Sequence, residues 1–148
     1  MKNRQRKKWQ KKHGLYIAPN EIWNLDYTIA EFVLPRLKKF KKESKGYPDQ
    51  GEMNTPEKWN AALDKMILAF EYMLDDNWWI GNPEYDYSDG LHFDYEKDDK
   101  TGLNKVVISE DDWVREVSQR HDKEEKRRKQ IIDEGFQLFA KWFRHLWW

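Results

Sequence analysis

The chain has 148 residues, 39% of them hydrophobic and 36% charged, and its formal net charge is zero. This length predicts one domain with one core, and nine Trp, seven Tyr and seven Phe predict that aromatic side chains dominate that core. The absence of cysteine excludes disulfides, thiolate metal sites and cysteine nucleophiles, and it fits a reducing compartment.

The charge is strongly segregated along the chain. Residues 1–48 carry thirteen Lys or Arg against four acids, a net +9, whereas residues 49–112 carry five against seventeen, a net −12. Residues 113–148 have a net charge of +3. Blocks of this kind mark interaction surfaces, or they face each other within the fold, and the sequence leaves both readings open.

Residues 1–20 are predicted to form a basic N-terminal arm before a single helical domain of residues 21–148. In the basic arm, the candidate contacts to nucleic acid are Arg4, Arg6, Lys7 and Lys8 for phosphates and Trp9 for stacking on a base. The alternative is a flexible basic tail. The basic start is followed only by the apolar stretch LYIA, so we expect no secretory signal. The longest helix candidates carry charges on every turn, so we expect no membrane span, and a cytoplasmic location is the default.

The first helix is predicted over about residues 21–42, with Ile22, Ile29, Val33 and Phe40 on one stripe flanked by Leu25, Ala30 and Leu37. Pro35 should kink this helix or open a second one. The segment after the proline presents a cationic outer face, a second candidate surface for nucleic acid or protein. Its cations are Lys38, Lys39, Lys41 and Lys42.

The second helix is predicted over about residues 55–76, antiparallel to the first. Thr55 can cap it, Pro56 suits its first position, and Glu57 suits the positive end of the helix dipole. A β-hairpin should follow over about residues 91–108, because apolar and polar residues alternate there. A lone hairpin is marginal in water, so its apolar face, with Trp78 and Trp79, is expected against the helices.

The third helix is predicted over about residues 109–146, with Ser109 as its cap. Residues 118–130 contain no apolar side chain, so the helix should protrude, bend or break there. The spacing of Asp122 with Lys126, Glu124 with Arg128 and Glu125 with Lys129 favours ion pairs on an exposed helix. Arg127 and Arg128 are therefore candidates for partner binding. The fold class is mainly α with one inserted hairpin.

The last stretch, from Ile131 to Trp147, places its apolar residues on half of a helical circumference. We predict that Phe139 and Trp142 close the core, and that Trp148, off this stripe, is exposed or touches a partner. A membrane-surface helix usually carries more Lys or Arg on its polar face, so a packed helix is favoured.

No motif assigns catalytic, cofactor-binding or metal-binding residues, and no cofactor is expected. The segment PEYDYSDG is similar in composition to a calcium-binding loop, but its glycine falls one position late for the register of the helix-loop-helix motif. A solvated acidic loop is therefore favoured. Asp86, Asp98 and Lys100 weakly resemble the metal-dependent nuclease pattern, yet the last two fall at a hairpin tip. The four histidines are dispersed and are interpreted as ordinary surface or half-buried residues.

Three strings carry a family resemblance: WNLDYTIAEFVLPRLKKFK, PEKWNAALDKMILAFEYM and EGFQLFAKWFRHLW. They resemble a family of small uncharacterised proteins of tailed bacteriophages and prophages, with a Leu-Pro-Arg-Leu helix and a C-terminal helix that ends in Leu-Trp. The likeness covers about half the chain and implies a phage context and an accessory role, with no catalytic residue to carry over. Trp148 departs from the family pattern, in which a short polar ending follows Leu-Trp.

These observations favour a non-enzymatic accessory protein that binds a host or phage protein stoichiometrically, in the host cytoplasm. Nucleic-acid binding through the basic arm and the first-helix face is the alternative, and a metal-dependent hydrolase or nuclease is the second alternative. Salt separates the two binding hypotheses, since phosphate contacts weaken steeply with salt. Whether the chain forms a homo-oligomer is left open.

Overall fold

The computed structural model describes residues 3–14 and 16–147. Its helices are α1 Asn3–Lys12, α2 Pro19–Trp23, α3 Leu25–Glu43, α4 Pro56–Leu74 and α5 Asp112–Trp142, with strands β1 Leu91–Lys97 and β2 Asn104–Glu110 before α5. The expected mainly α fold with one inserted hairpin is confirmed. Among the described residues, no helix is long and apolar enough to cross a membrane.

Helix α4 is the centre of the core and packs against both α3 and α5. Thr55 caps it as predicted, since its hydroxyl oxygen accepts a hydrogen bond from the Lys58 amide at 3.3 Å. Lys38 pairs with Glu71 at 2.6 Å and Lys41 pairs with Asp64, so residue numbers rise on α3 as they fall on α4. The two helices are therefore antiparallel, as predicted. The buried side chains of α4 are Trp59, Ala62, Leu63, Met66, Ile67, Ala69 and Phe70.

The second half of α5 closes this core. Trp142 is 5% exposed and makes an edge contact with Trp59, with ring centroids 6.1 Å apart. Phe139 is half-buried and packs edge-on against Phe70 at 5.2 Å. Both predicted core assignments are thus confirmed, with Trp142 the more deeply buried of the two. Gly135 lets α5 approach α4 closely, because a Cβ there would lie 2.3 Å from the Cβ of Ala69.

The first predicted helix is divided at Asn24 rather than at Pro35. Helix α3 begins at Leu25 and continues through Pro35 to Glu43, so the prediction that Pro35 could open a second helix is wrong. Both Pro35 and Glu31 are exposed, which explains the continuity. The Glu31 carbonyl, which loses its intrahelical bond to the proline, can bond water instead.

The buried face of α3 differs from the predicted stripe. Ala30 and Leu37 are buried, and Val33 and Phe40 are half-buried against the core. By contrast, Ile22, Leu25 and Ile29 are 64%, 53% and 48% exposed, so the prediction that they line the core is wrong. Helix α3 therefore has two apolar faces, and α4 covers only one of them.

Helix α5 begins at Asp112, three residues later than predicted, and is not broken. Ser109 belongs to β2, where it pairs with His92 of β1, and Asp111 stands at the N-cap position. Ser109 as a cap is therefore wrong, because the hairpin ladder extends through Glu110. The α-helix crosses the charged segment 118–130 without a break and ends at Trp142, short of the predicted Leu146, in a 3₁₀ turn Phe143–His145.

The hairpin forms in the expected region but is not covered by the helices. Phe93 pairs with Ile108 and Tyr95 with Val106 on one face, and these four side chains are between 49% and 71% exposed. The prediction that this face packs on the helices is wrong. The expected contact of Trp78 with the helices does form, because its ring stacks on that of His121 in α5 with ring centroids 5.2 Å apart.

The aromatic end of the chain is only partly buried. Phe143 and Trp147 are 60% and 69% exposed, so the predicted apolar half of the circumference continues beyond the part that the core covers. Trp148 lies outside the described residues.

Candidate functional site

An uncovered apolar stripe lies on α2 and the first half of α3. We define the α2–α3 stripe as Ile22, Trp23, Leu25, Ile29 and Phe32, which are between 48% and 88% exposed. Leu25, Ile29 and Phe32 recur at the four- and three-residue spacing that places side chains on one helical face. The break at Asn24 brings Ile22 and Trp23 onto a separate short helix next to this face.

The stripe leads into a groove between α3 and the end of α5. This α3–α5 groove has a volume of about 280 Å³ and is lined by Phe32, Val33, Arg36, Leu37, Phe40, Phe139, Phe143 and Leu146. Phe32, 59% exposed, belongs to both the stripe and the groove, so the two form one surface. Arg36 is the only charged residue in the groove lining, and its guanidinium lies 3.4 Å from the centroid of the Phe32 ring.

The size of this surface is that of an interaction site. At 150–250 Å² for a whole aromatic side chain, the exposed parts of Trp23, Phe32 and Phe143 alone offer roughly 300–500 Å². Contiguous apolar patches larger than a few hundred Å² mark protein or membrane contacts on soluble proteins. The aliphatic members of the stripe enlarge the patch further.

The charged side chain in the groove lining is the cation Arg36. Arg36 donates a hydrogen bond to the Phe32 carbonyl oxygen at 2.7 Å, a contact that leaves its positive charge uncompensated. Arg144, in the turn after α5, is exposed, and within the described chain no carboxylate pairs with it or with Arg36. Lys39 beside the groove pairs with Glu43 at 3.8 Å. The groove is thus apolar at its floor and positive at its edge.

A second concave region lies between α5 and the segment after α4. Its centre is a stack of side chains formed by Tyr72, Arg128, Trp78 and His121. The Arg128 guanidinium lies between the rings of Tyr72 and Trp78, at 4.2 Å and 5.1 Å from their centroids. His121 stacks on Trp78 with an interplanar angle of 16°. Arg128 also donates to a carboxylate oxygen of Asp75 at 2.8 Å. This stack of side chains anchors the charged segment of α5 and explains why that segment remains helical against the core.

The predicted ion pairs of the charged segment are largely replaced by others. Arg128 pairs with Asp75 instead of Glu124, and Glu124 pairs with Arg127 at 2.6 Å. The Arg127 side chain holds the pKa of Glu124 below its usual range. Arg128 is 9% exposed, so it is not a surface candidate for partner binding as predicted, whereas Arg127 is exposed.

The basic arm contains helix α1, none of whose residues is buried. Six cations lie on it, and within the described residues no carboxylate reaches them at ion-pair distance. Trp9 is 49% exposed and contacts His13, with ring centroids 4.5 Å apart. Lys11 lies 4.9 Å from the centroid of the Tyr16 ring. The predicted arm candidates Arg4, Arg6, Lys7, Lys8 and Trp9 are therefore all accessible.

The four lysines near the end of α3 do not form one free basic face. Three of them have acidic partners, Lys38 with Glu71 and Lys41 with Asp64 on α4, and Lys39 with Glu43 on α3. The fourth, Lys42, is exposed. Part of the basic first third of the chain therefore faces the acidic middle within the fold. This supports the interpretation that the oppositely charged blocks face each other.

The acidic loop and the hairpin tip use their carboxylates in local turns. Asp86 accepts from the Ser88 amide at 3.0 Å and from its hydroxyl at 2.7 Å, and these bonds hold the pKa of Asp86 below its usual range. Asp98 accepts from the amides of Lys100 and Thr101, which lower its pKa in the same way. These contacts shape the turns and give no support to a calcium loop or a nuclease site.

The four histidines have different surroundings, and His13 lies beside Trp9. His92 lies 3.1 Å from a carboxylate oxygen of Asp111, and His145 contacts Gln50. His121 is half-buried, and one of its ring nitrogens and one carboxylate oxygen from each of Asp122 and Glu125 lie within 4.8 Å of one another. The sequence interpretation missed this cluster, although Glu125 follows His121 by four residues, a spacing that places both on one face of a helix.

Comparison of the chain with protein-family models, with curated proteins and with solved structures finds no match in any of the three.

Proposed function

We propose that this protein acts by stoichiometric binding of another protein, and that the α2–α3 stripe with the α3–α5 groove is the binding surface. The observation that carries the proposal is the second, uncovered apolar face of α3, which runs through Phe32 into the groove. Apolar side chains at helical spacing normally face a partner element. The phage context and accessory role implied by the sequence resemblance are part of the same proposal.

The partner that fits is an amphipathic helix with an apolar stripe and acidic flanks. A helix laid into a groove places side chains at three- and four-residue spacing against an apolar floor. Since Arg36 lines the groove and has no carboxylate partner among the described residues, an acidic helix is favoured and a basic one is disfavoured. The exposed apolar area, roughly 300–500 Å² from three aromatic side chains with the aliphatic ones in addition, is on the scale that a single docked helix can cover.

The direct test uses two labelled peptides with the same apolar stripe, one with Glu and one with Lys on its flanks. Fluorescence anisotropy at low salt should show that the Glu peptide binds at least about tenfold more tightly. Phe32→Ser should abolish this binding while the thermal unfolding curve stays close to wild type, because Phe32 is 59% exposed.

The matched control is Phe93→Ser, since Phe93 on the hairpin is 57% exposed and receives the same chemical change. It should bind the Glu peptide as the wild type does. Equal binding of the two peptides, or equal loss of binding in both variants, contradicts the proposed surface. If the protein binds lipid vesicles but neither peptide, and Phe32→Ser removes that binding, the surface is a membrane contact and protein binding is refuted.

Nucleic-acid binding through α1 is the second candidate function, and the unpaired cations of that helix favour it. Each neutralised phosphate contributes to a steep salt dependence. Exchange of Arg4, Arg6, Lys7 and Lys8 for Gln should remove binding to a labelled duplex and flatten its salt dependence, whereas Lys42→Gln should change both only slightly. A duplex affinity that is unchanged by the arm exchange refutes this candidate.

A further inference from the structure

One group of metal-ligating side chains is not explained by the binding surfaces described above. His121, Asp122 and Glu125 lie within about one turn of α5, and their potential ligand atoms are mutually within 4.8 Å. The His121 Nδ1 atom is 3.8 Å from a carboxylate oxygen of Asp122. We name these three residues the His121 cluster.

The two carboxylates of the cluster are not neutralised by the lysines that the sequence offers them. Lys126 and Lys129 have the four-residue spacing for ion pairs with Asp122 and Glu125, yet among the described residues neither pair forms. Two carboxylates near one imidazole without a cation partner repel each other, and a divalent cation between them removes that repulsion.

The nearby cations leave the cluster accessible. Arg128 is engaged with Asp75 and stacked between two rings, and so its charge is already paired. Lys129 borders the same concave region as Glu125 and is exposed, so it can turn away into water. The negative charge of the cluster therefore faces the solvent side of α5.

The imidazole of His121 is held by aromatic contacts on its other sides. Trp78 stacks on it, and Trp79 and Tyr85 meet it edge-on with ring centroids at 5.7 Å and 6.0 Å. Ring packing of this kind fixes the orientation of a ligand before the metal arrives. The two carboxylates are on exposed, flexible side chains and can move to complete the coordination.

We propose that His121, Asp122 and Glu125 bind a divalent transition-metal ion of the Zn²⁺ or Co²⁺ class. One imidazole nitrogen and two carboxylate oxygens suit such borderline ions, whereas Ca²⁺ and Mg²⁺ prefer ligand sets made of oxygen alone. Ligand atoms about 2.0–2.2 Å from a metal lie closer together than 4.8 Å, so the carboxylates of Asp122 and Glu125 turn inward on binding. Water completes the coordination.

The stack of Trp78 on His121 supplies a local readout. Co²⁺ bound at His121 should quench the fluorescence of Trp78, whose ring centroid is 5.2 Å away. The quench should be saturable and partial, because the chain has nine Trp and most lie elsewhere. Titration of the untagged full chain with ZnCl₂ in a calorimeter should give one site per chain, and Zn²⁺ should reverse the Co²⁺ quench by competition.

Three variants decide the assignment. His121→Ala and Glu125→Gln should each weaken Zn²⁺ binding at least about tenfold, and His92→Ala should leave it unchanged. His92 is the matched control because it is also beside one carboxylate, that of Asp111, but has no third ligand in the described structure. Glu125→Gln keeps the aromatic packing of His121, so its effect cannot come from unfolding of that packing.

Several outcomes overturn the proposal. They are the absence of a saturable Zn²⁺ or Co²⁺ signal, a Zn²⁺ affinity that Glu125→Gln does not change, and an affinity that His92→Ala removes. Loss of binding in His121→Ala alone, with Glu125→Gln and Asp122→Asn at wild-type affinity, also refutes the three-ligand site. The peptide-binding test of the groove is independent of all these results.

Discussion

Substitution of Gly135 by Ala tests the packing of α4 against α5 most sharply, because two effects of opposite sign compete at that position. Alanine stabilises an exposed helix interior by about 0.8–1.0 kcal/mol relative to glycine. At Gly135, however, a Cβ would lie 2.3 Å from the Ala69 Cβ and 2.6 Å from the Lys65 carbonyl oxygen. The carbonyl belongs to the backbone of α4 and cannot rotate away, so the helices must separate.

Overpacking of a core costs typically 1–3 kcal/mol, and the backbone contact places Gly135→Ala near the upper end. After the gain in helix propensity is subtracted, we expect a net loss of about 2 kcal/mol, which corresponds to a fall in Tm of roughly 4–8 °C for a chain of this length. Urea unfolding followed by circular dichroism measures it. The control is Gln137→Ala on the exposed side of α5, which should change stability by less than about 0.5 kcal/mol. A neutral or stabilised Gly135→Ala variant would show that the helices do not approach as described.

Three further substitutions test single contacts. Arg128→Met should lower the unfolding free energy by about 2 kcal/mol, because it removes charged hydrogen bonds to Asp75 and two ring contacts, and Arg128→Lys should not restore it. The lowered pKa of Asp98 means that the hydrogen bonds its carboxylate accepts stabilise the hairpin turn at pH values above the usual pKa of an aspartate. These hydrogen bonds are lost as the pH falls through the lowered pKa. Hairpin amide signals in NMR should therefore change below about pH 4 in the wild type but not in Asp98→Asn. Lys41→Glu should cost at most about 0.5 kcal/mol in thermal unfolding, since the Asp64 side chain is 60% exposed and water screens the pair, and the added exchange Asp64→Lys should recover it.

The sequence by itself determined the elements whose signals are local. Helix α4 begins where Thr55 and Pro56 predict, since a cap and a proline at the first position act within one turn. The hairpin follows from the alternation of apolar and polar residues, and Trp142 is buried because its stripe is the densest in α5. These features need no knowledge of what lies across the core.

The ends of neighbouring elements were less predictable. Ser109 satisfies the pattern of a helix cap, but its backbone is bound in the ladder opposite His92, and Asp111 takes the position before the helix. A single position can suit two local patterns, and pairing with a distant strand decides between them. The continuity of α3 through Pro35 depends in the same way on which side of the helix faces water.

Tertiary structure alone decided which apolar faces are covered and which charges are paired. Ile29 and Phe93 have the spacing of core residues, yet each is about half exposed because no element of the described fold packs on its face. Arg128 has the spacing of a surface ion pair with Glu124, yet it is buried and pairs with the exposed Asp75, more than fifty residues away in the sequence. Periodicity fixes the side of a helix or strand on which a residue lies. Whether another part of the chain reaches that side depends on long-range packing, which no local pattern contains.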